Sequence, residues 1–322
     1  MTYDLPAKTG VTMNPDISVA IPMHNEEEGV EALTKQLQTV LESTGRSYEV
    51  IIVDDGSTDQ TWEKLVAMAT HDAHWRAFRL RKNFGQTPAM RCGIEQARGR
   101  YIVTMDGDLQ NDSADIPRLI AKLEEGYDVV CGWRYRRQDK LWTRKIPSTV
   151  ANHLISLLTG VRLHDYGCSL KIYRADAIKR TPLYAEFHRF IPALSTLTGA
   201  LITELQVDHH PRRFGRTKYN LNRTWRVALD MLTVSLLVKF SSRPLRFFGG
   251  LALCSFIMAI VCVVHAWGWY AEPYFTMPQV LPGVAVLGIW LAGHLLLVGL
   301  SAELCLATAH GRPEGLIAPE QG

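Results

Sequence analysis

The fold of this chain is decided by the segment Tyr101-Ile102-Val103-Thr104-Met105-Asp106-Gly107-Asp108-Leu109-Gln110, in which a short apolar run passes directly into two carboxylates. A run of this kind is typical of a buried strand whose carboxyl end opens into a polar loop. The two aspartates stand two residues apart and bracket a glycine, so both can present oxygens to one hard divalent cation. The segment therefore predicts a ligand site at the end of a strand.

The regions on either side of this segment repeat the same pattern. Further short apolar runs occupy 17–21, 50–53, 78–80 and 128–131, and stretches with helical spacing of apolar residues lie between them. Strands that alternate with helices in this way predict an α/β fold, with a mostly parallel sheet and helices on both faces. Such sheets bind ligands at the carboxyl ends of their strands, so the chemistry is expected there.

Acidic and amide side chains follow three of these predicted strands. Asn25 and Glu26 come after the first strand, Asp54 and Asp55 after the second, and Asp106 and Asp108 after the strand quoted above. Any single one of them could simply cap a helix or line a solvated turn, and this is the role that we predict for Asp59 and Asp112. The succession of clusters nevertheless indicates a common polar site.

Several motifs, in their order along the chain, resemble those of the inverting family-2 glycosyltransferases. They are Ile21-Pro22-Met23-His24-Asn25-Glu26, Val53-Asp54-Asp55-Gly56-Ser57, Asn83-Phe84-Gly85-Gln86 and Asp106-Gly107-Asp108-Leu109-Gln110. Two more, at 165–168 (Asp-Tyr-Gly-Cys) and 212–219, resemble the polyprenyl-phosphate glycosyltransferases within that family. That group includes dolichol-phosphate mannose synthase, bactoprenol glucosyltransferase and the undecaprenyl-phosphate 4-deoxy-4-formamido-L-arabinose transferase, of which the last looks nearest.

The resemblance implies a Rossmann-like GT-A fold that moves a sugar from a nucleotide-sugar to a lipid phosphate. It assigns the nucleotide-sugar to Pro22, Asn25, Glu26, Asp54, Asp55, Asn83, Gln86 and Asp106. Of these, Asp54 and Asp55 would hold the base and ribose. It assigns Mg²⁺ or Mn²⁺ to Asp106, Asp108 and Gln110, and catalysis to Asp165 and Asp108. A UDP donor is favoured over GDP, and relatives of this build are tetramers, so a homo-oligomer is expected. Nucleic acid is not an expected partner.

A lipid phosphate is mostly dianionic at neutral pH, because its second pKa is near ~6. It therefore needs a cationic cradle more than a general base, and Arg134, Arg212, Arg216 and Lys218 are the candidates. For the three residues after 211 the alternative is a generic attraction to anionic headgroups. For Arg134 it is a solvated loop. Asp165 could accordingly position the acceptor or the metal and abstract no proton.

The C-terminal part of the chain is almost uncharged. Between Phe247 and Ala302 the only charged residue is Glu272, although 21% of all 322 residues are charged. Two apolar runs, 247–267 and 280–302, are each close to the ~20 residues that span a bilayer. The alternative is a pair of buried core helices. Lys and Arg are concentrated between Pro211 and Arg246, so the positive-inside rule predicts cytosolic termini and a catalytic domain in the cytosol.

The expected organisation is a GT-A domain over 1–210, a basic juxtamembrane segment over 211–246, two membrane helices within 247–306 and a short tail over 307–322. An amphipathic interfacial helix is expected at 221–240. The chain is then a multi-pass protein of the bacterial inner membrane that makes a polyprenyl-monophosphate sugar for envelope glycans or lipid A modification. Two alternatives stay open, namely a glucosyl- or mannosyl-transferring relative and a non-catalytic lipid-binding or flippase-accessory protein.

Overall fold

The structure is a computed structural model that describes residues 3–4, 14–135, 152, 155–156, 159–181, 187–211, 233–234, 236, 238, 240, 243–270 and 280–309. The chain divides into two compact units, Met1–Val238 and Lys239–Gly322. The predicted interfacial helix at 221–240 lies mostly outside the described residues. The proposed boundaries of the four segments therefore stay predictions.

A single sheet forms the first unit. Its strands are β1 (Tyr3–Asp4), β2 (Ile17–Met23), β3 (Tyr48–Asp54), β4 (Trp75–Arg79), β5 (Tyr101–Thr104), β6 (Val129–Arg134), β7 (Lys171–Arg174) and β8 (Ile202–Val207). They lie in the order β1-β4-β3-β2-β5-β7-β6-β8. The strands β4, β3, β2 and β5 are parallel, and β6 is parallel to β8. Strand β7 runs antiparallel to both of its neighbours, and β1 to β4.

Helices cover both faces of this sheet, as predicted. They are α1 (Val30–Ser43), α2 (Thr61–His71), α3 (Gln86–Gln96), α4 (Ile116–Glu124), α5 (Ala175–Lys179) and α6 (Ile191–Ser195). In β2 the side chains alternate between the two faces, since Val19 joins one hydrophobic core and Ala20 joins the other. Helices α1, α2 and α4 pack into the first core, and α3, α5 and α6 into the second. The predicted mostly parallel sheet with helices on both faces is thereby confirmed.

The second unit holds two long helices, α7 (Pro244–Tyr270) and α8 (Val280–Ala309). Within them, Pro244–Trp267 and Val280–Leu306 are long and apolar enough to cross a membrane, and only 11% and 17% of their apolar windows are buried. Core helices of a soluble protein would be mostly buried, so this exposure favours membrane helices. They are antiparallel, because the carboxylate of Glu303, near the end of α8, accepts the backbone N–H of Leu245 at the start of α7.

Small residues bring α7 and α8 close together. Ala252, Ala259 and Ala266 recur at seven-residue intervals and are buried, and Ala285 and Ala292 do the same on the partner helix. A Cβ added at Gly288 would lie 3.0 Å from the Cβ of Ala259. Close backbone approach through small residues is the usual way in which helices pack in lipid.

Candidate active site

One edge of the sheet collects most of the predicted functional residues. The carboxyl ends of β2, β3, β5 and β6 meet there, and the loop before the antiparallel β7 enters at the same edge. The predicted residues found in these loops and strand ends are Pro22, Asn25, Glu26, Asp54, Asp55, Asn83, Gln86, Asp106, Asp108, Gln110, Arg134 and Asp165. Arg212, Arg216 and Lys218 lie outside the described residues.

The loops that follow β2 and β3 are tied to each other. Asn25 has a left-handed backbone (φ 53°), its N–H donates to Oγ of Ser57 at 2.9 Å, and its Oδ1 accepts the N–H of Thr58 at 2.8 Å. Glu27 accepts the N–H of Gln60 at 2.9 Å. A non-glycine residue in this conformation is uncommon and is concentrated at functional loops. The arrangement fixes the shape of the edge where a nucleotide is predicted.

The carboxylates of Asp54 and Asp55 bind backbone N–H groups of the loops at this edge. The side chain of Asp54 is fully buried, accepts the N–H of Ser57 at 3.1 Å and lies 3.1 Å from Nε of Arg79. Asp55 accepts the N–H groups of Phe84 and Gly85, at 2.7 and 2.8 Å. Burial raises the pKa of Asp55, although these two bonds oppose the shift. In this geometry both carboxylates shape the loops, and a direct contact with the base or ribose stays a prediction.

Gly56, which follows these two carboxylates, lies against the backbone of the loop at Lys82, and only glycine fits there. Its φ is +64°, and a Cβ at this position would lie 2.6 Å from the carbonyl carbon of Lys82. Only glycine combines that conformation with so close an approach of two backbones. The Asp-Asp-Gly-Ser motif therefore has a local structural reason.

The loop at 105–112, which we call the metal loop, carries both aspartates of the quoted segment. Asp106 is half-buried, and its Oδ1 accepts Nε2–H of Gln86 at 2.5 Å. Asp108 accepts the N–H of Gln110 at 3.2 Å, and Leu109 between them is left-handed with φ 59°. Two predicted sites, the Gln86 amide and the carboxylate pair, are thus brought together. No group of three or more His, Cys, Asp or Glu side chains suited to a metal occurs among the described residues.

Opposing charges act on Asp106. Burial and then the neighbouring carboxylate of Asp108 raise its pKa, while Ser169, Arg134 and Lys171 act in the opposite direction. Two carboxylates that share one site disfavour each other's ionised form, and a cation placed between them relieves that repulsion. The donor set is of the type that Mg²⁺ uses, which is one or two carboxylates completed by phosphate oxygens.

Arg134 and Asp165 form a bidentate ion pair. Nε of Arg134 donates to Oδ2 of Asp165 at 2.6 Å, and a second guanidinium nitrogen donates to Oδ1 at 2.9 Å. Asp165 also accepts the N–H of Gly167 at 3.0 Å, and its side chain is only 4% exposed. The ion pair raises the pKa of Arg134 against the effect of its burial. A carboxylate held on both oxygens orients a guanidinium and is poorly placed to accept a proton from a substrate.

A small cleft of about 50 Å³ opens next to Asp106. Its lining includes Lys171 on β7, and His188 and Arg189 from a short 3₁₀-helix, Phe187–Phe190. Lys171 is 3% exposed and donates to the carbonyl oxygen of Tyr166 at 3.2 Å, and burial lowers its pKa. The sequence reasoning missed His188 and Arg189. In the sequence they stand between Phe187 and Phe190, and two polar residues flanked by large aromatic residues indicate polar groups held within a packed element.

Comparison with known proteins agrees with this geometry. The profile described as "Glycosyl transferase family 2" matches residues 18–181, and the chain belongs to that family. It is 42% identical over 301 residues to the dodecaprenyl-phosphate galacturonate synthase of Rhizobium johnstonii, covering 91% of this chain and 88% of that protein. It is 36% identical to the undecaprenyl-phosphate 4-deoxy-4-formamido-L-arabinose transferase of Pseudomonas paraeruginosa, covering 87% and 84%. The predicted polyprenyl-phosphate glycosyltransferase group is thereby confirmed.

Solved structures support the fold. The glucosyl-3-phosphoglycerate synthase of Mycobacterium tuberculosis, in complex with phosphoglyceric acid, superposes with a TM-score of 0.53 at 18% identity, over 69% of this chain and 79% of that one. The same enzyme in complex with Mn²⁺ and UDP-glucose gives 0.53 at 18% identity, over 71% and 81%. Identity this low bears on the fold alone. The chain is thus a membrane-associated glycosyltransferase with a GT-A-type domain.

Proposed function

We propose that this enzyme transfers a sugar from a nucleotide-sugar to a polyprenyl phosphate, with inversion at the anomeric carbon. The observation that carries the proposal is the juxtaposition of opposite charges at one edge of the sheet. The carboxylate of Asp106 interacts electrostatically with the carboxylate of Asp108 and with the charges of Arg134 and Lys171, and Lys171 lines the same cleft as Asp106. A cation-dependent site for a diphosphate next to a cationic site for a second phosphate suits this reaction. Both relatives cited above are named for polyprenyl-phosphate products.

The donor is proposed to bind along the loops that follow β2, β3 and β4. Pro22, Asn25 and Glu26 border the nucleotide, and Asp54 and Asp55, which also shape these loops, hold its base and ribose. Asn83 is exposed at the rim of this region. Gln86, through its bond to Asp106, links the donor region to the metal loop. UDP is the favoured nucleotide, on the resemblance to bacterial members of the family.

Asp106, Asp108 and Gln110 are proposed to hold Mg²⁺ or Mn²⁺. Such a cation supplies Lewis-acid stabilisation of the charge that develops on the leaving diphosphate. Asp106 is kept in place by Gln86, and Asp108 by the N–H of Gln110. These bonds fix the carboxylates before the donor binds, so little reorganisation is needed during the reaction.

The acceptor phosphate is proposed to meet Arg134 and the basic residues Arg212, Arg216 and Lys218. A phosphate dianion is already a nucleophile, so the chain must orient it and does not have to remove a proton. Asp165 serves this step as a positioning residue, because its bidentate bond fixes the guanidinium of Arg134. Two phosphates of like charge can approach only where cations of this kind offset their repulsion.

The membrane arrangement is part of the same proposal. Helices α7 and α8 cross the inner membrane of a bacterium, and the catalytic domain and both termini face the cytosol. The concentration of Lys and Arg before the first helix, and their absence from the segment that joins the two helices, support this orientation. A homotetramer is proposed from the resemblance alone.

The test is a transfer assay in membranes that contain undecaprenyl phosphate. Labelled UDP-galacturonate, UDP-4-deoxy-4-formamido-L-arabinose and UDP-glucose, together with GDP-mannose, are offered one at a time with Mg²⁺ or Mn²⁺. We expect one donor to label the lipid and EDTA to abolish the labelling. Absence of lipid labelling with every donor, alongside intact nucleotide binding, would contradict the proposed acceptor and favour a non-catalytic lipid-binding role.

A further inference from the structure

We infer that Lys171 and Arg189 form a subsite for a carboxylate on the transferred sugar, so that the donor is a nucleotide-linked sugar acid of the hexuronate class. The inference rests on the proposed function and deepens it, since it names the class of sugar that the enzyme moves. It gives a specific role to Lys171, which the proposed function uses only as a nearby charge, and to Arg189, which the proposed function does not use.

Lys171 is a buried cation with hydrogen-bonding capacity to spare. Only 3% of the residue is exposed, and its ammonium donates to the carbonyl oxygen of Tyr166 at 3.2 Å. An ammonium has three N–H donors, and within the described residues this is the one hydrogen bond that Lys171 makes. Buried donors nearly always have partners, and Lys171 lines the cleft beside Asp106, where a ligand can supply them.

Arg189 brings a second cation to the same cleft. It belongs to the 3₁₀-helix Phe187–Phe190, whose two phenylalanine side chains are buried in the second hydrophobic core and anchor the element. Arg189 is half-buried, and it makes neither a hydrogen bond nor an ion pair with any residue that the structure describes. An unpaired guanidinium on an anchored element suits a carboxylate ligand, which it can bind through two parallel hydrogen bonds.

The cleft lies where the proposed sites of the two phosphates approach each other. Its lining includes Asp106 of the metal loop and Gln86, which donates to that carboxylate. It also includes Gly167, where an added Cβ would lie 3.1 Å from a guanidinium nitrogen of Arg134. In a transfer from one phosphate to another the sugar ring must lie between the two, so its substituents can reach this cleft.

The charges at the cleft select an anionic substituent. Asp106 is the one carboxylate among the described residues that line it, and Lys171 and Arg189 are both basic. Since Asp106 is also proposed to bind a divalent cation, the cleft carries a surplus of positive charge that a sugar carboxylate offsets. A neutral hydroxymethyl group at the same position leaves both cations uncompensated and partly desolvated, which costs affinity. The carboxylate of a hexuronate is therefore favoured over the hydroxymethyl group of a hexose.

The experiment compares donors that differ only in this group. The full-length enzyme, in membranes with undecaprenyl phosphate and Mn²⁺, is offered UDP-galacturonate against UDP-galactose and UDP-glucuronate against UDP-glucose. Because a hydrogen bond to a charged group is worth about tenfold or more, the kcat/KM of one uronate should exceed that of its neutral partner by at least this factor. Arg189→Met should remove that advantage and leave the kcat/KM of the neutral sugar and the affinity for UDP nearly unchanged. Arg189→Lys keeps the charge and should retain part of the advantage.

Lys171→Met tests the buried cation, and Arg174→Met on the same strand is its matched control. Arg174 likewise donates to a backbone carbonyl oxygen, that of Tyr127 at 3.0 Å, but it lies at the other end of β7. We expect both variants to melt at a lower temperature than wild type and only Lys171→Met to lose the preference for the uronate. Should Lys171→Met fail to fold, Arg189→Met carries the test alone, since its side chain has no described partner to lose.

The outcomes separate the subsite from the proposed function. Absence of transfer to the lipid from every donor contradicts the proposed function, and the subsite with it. An active enzyme that prefers an uncharged sugar, or whose preference for a uronate survives Arg189→Met, overturns the subsite while the proposed function stands. A higher KM for polyprenyl phosphate in Arg189→Met would assign the bound anion to the acceptor, and an equal loss of affinity for UDP alone would assign it to the diphosphate. Either result also overturns the subsite.

Discussion

The two halves of the sheet use their carboxylates in different ways. In the parallel half, β4-β3-β2-β5, Asp54 and Asp55 accept backbone N–H groups and thereby give loops their shape. In the half formed by β7, β6 and β8, Asp165 is bound to the guanidinium of Arg134 and lies near the buried ammonium of Lys171. The first half thus uses its carboxylates to order loops, and the second pairs its carboxylate with buried positive charge. Strand β5, with the metal loop at its end, is the strand of the first half that borders the second.

The difference explains why the two halves should respond differently to mutation. A carboxylate bonded to backbone N–H groups can be replaced by an amide that still accepts one of them. A carboxylate bonded to a buried guanidinium leaves an uncompensated charge when it is removed, and this costs more. The predictions below are graded accordingly.

The largest loss of stability is expected for Asp165→Ala. The side chain of Arg134 is 13% exposed, so removal of its partner should lower the free energy of unfolding by about 3–5 kcal/mol. Thermal unfolding in detergent measures the loss, and the double variant Asp165→Ala/Arg134→Met should recover part of it. Glu95→Ala removes the partner of Arg91 from an exposed ion pair and should cost less than about 1 kcal/mol. Equal losses for the two single variants would contradict the comparison.

Asp108→Ala should reduce sugar transfer by about 10²–10³-fold, which is the usual effect of losing one electrostatic contact to developing charge. Its fold should be unaffected, because the metal loop keeps the bond from Gln86 to Asp106 and the bond from the N–H of His210 to the carbonyl oxygen of Gln110. Initial rates with saturating donor measure the effect. Glu63→Gln, on the exposed side of α2, is the carboxylate control. Retention of more than about a third of the activity would remove Asp108 from the proposed metal site.

Gly56→Ala should destabilise the parallel half by about 2 kcal/mol or more. A left-handed alanine alone costs about 1–2 kcal/mol, and the approach of its Cβ to 2.6 Å from the Lys82 backbone adds to that cost. Gly45 has the same backbone conformation (φ +65°) with nothing within 4 Å, so Gly45→Ala isolates the conformational part. Gly56→Ala should therefore melt at a lower temperature than Gly45→Ala. Equal melting temperatures would show that the loop at Gly56 and the loop at Lys82 can move apart without cost.

The smallest effect, less than about 1 kcal/mol, is expected for Asp59→Asn at neutral pH, because only the charge at the start of α2 is lost. Burial would raise the pKa of Asp59, but the hydrogen bonds from Thr61 and Glu27 outweigh it and the pKa is lowered. An acid whose pKa is lower in the folded state stabilises above its unfolded pKa, near ~4, and loses that contribution as pH falls through the folded value. The difference from wild type should therefore be present at pH 7 and shrink below about pH 4. A difference in stability between wild type and Asp59→Asn that grows as the pH falls would contradict the lowered pKa of Asp59.

The parallel half could be predicted from sequence, whereas in the other half the apolar run at 128–131 identified only β6. Apolar runs at 17–21, 50–53 and 101–105 identified β2, β3 and β5, because a strand buried on both faces is apolar throughout. Strand β7 contains Lys171 and Arg174, so it is not an apolar run, and its antiparallel insertion between β5 and β6 cannot be predicted from a local sequence pattern. Strand β8 is only half-buried, and β1 is two residues long.

The site followed the same division. The Asp106–Asp108 pair was found by its position after a predicted strand, and Gln86 by the resemblance of its motif to the family. The pairing of Arg134 with Asp165 joins residues 31 positions apart, so the sequence showed both without showing that they meet. The contact of His210 with Asp112 spans 98 positions, and the fold alone reveals it.

The late position of β8 has a consequence for biosynthesis. The ribosome adds Val207, the last residue of the sheet, before Pro244, the first residue of α7, and 244 − 207 = 37 residues separate them. At about 5–20 residues per second, about 2–7 seconds pass between the two events. All strands have therefore been synthesised before the insertion machinery receives its first long apolar helix. Because domains fold as units during synthesis, the enzyme domain can assemble in water ahead of its anchor, and a slow codon stretch between 208 and 243 would lengthen that interval.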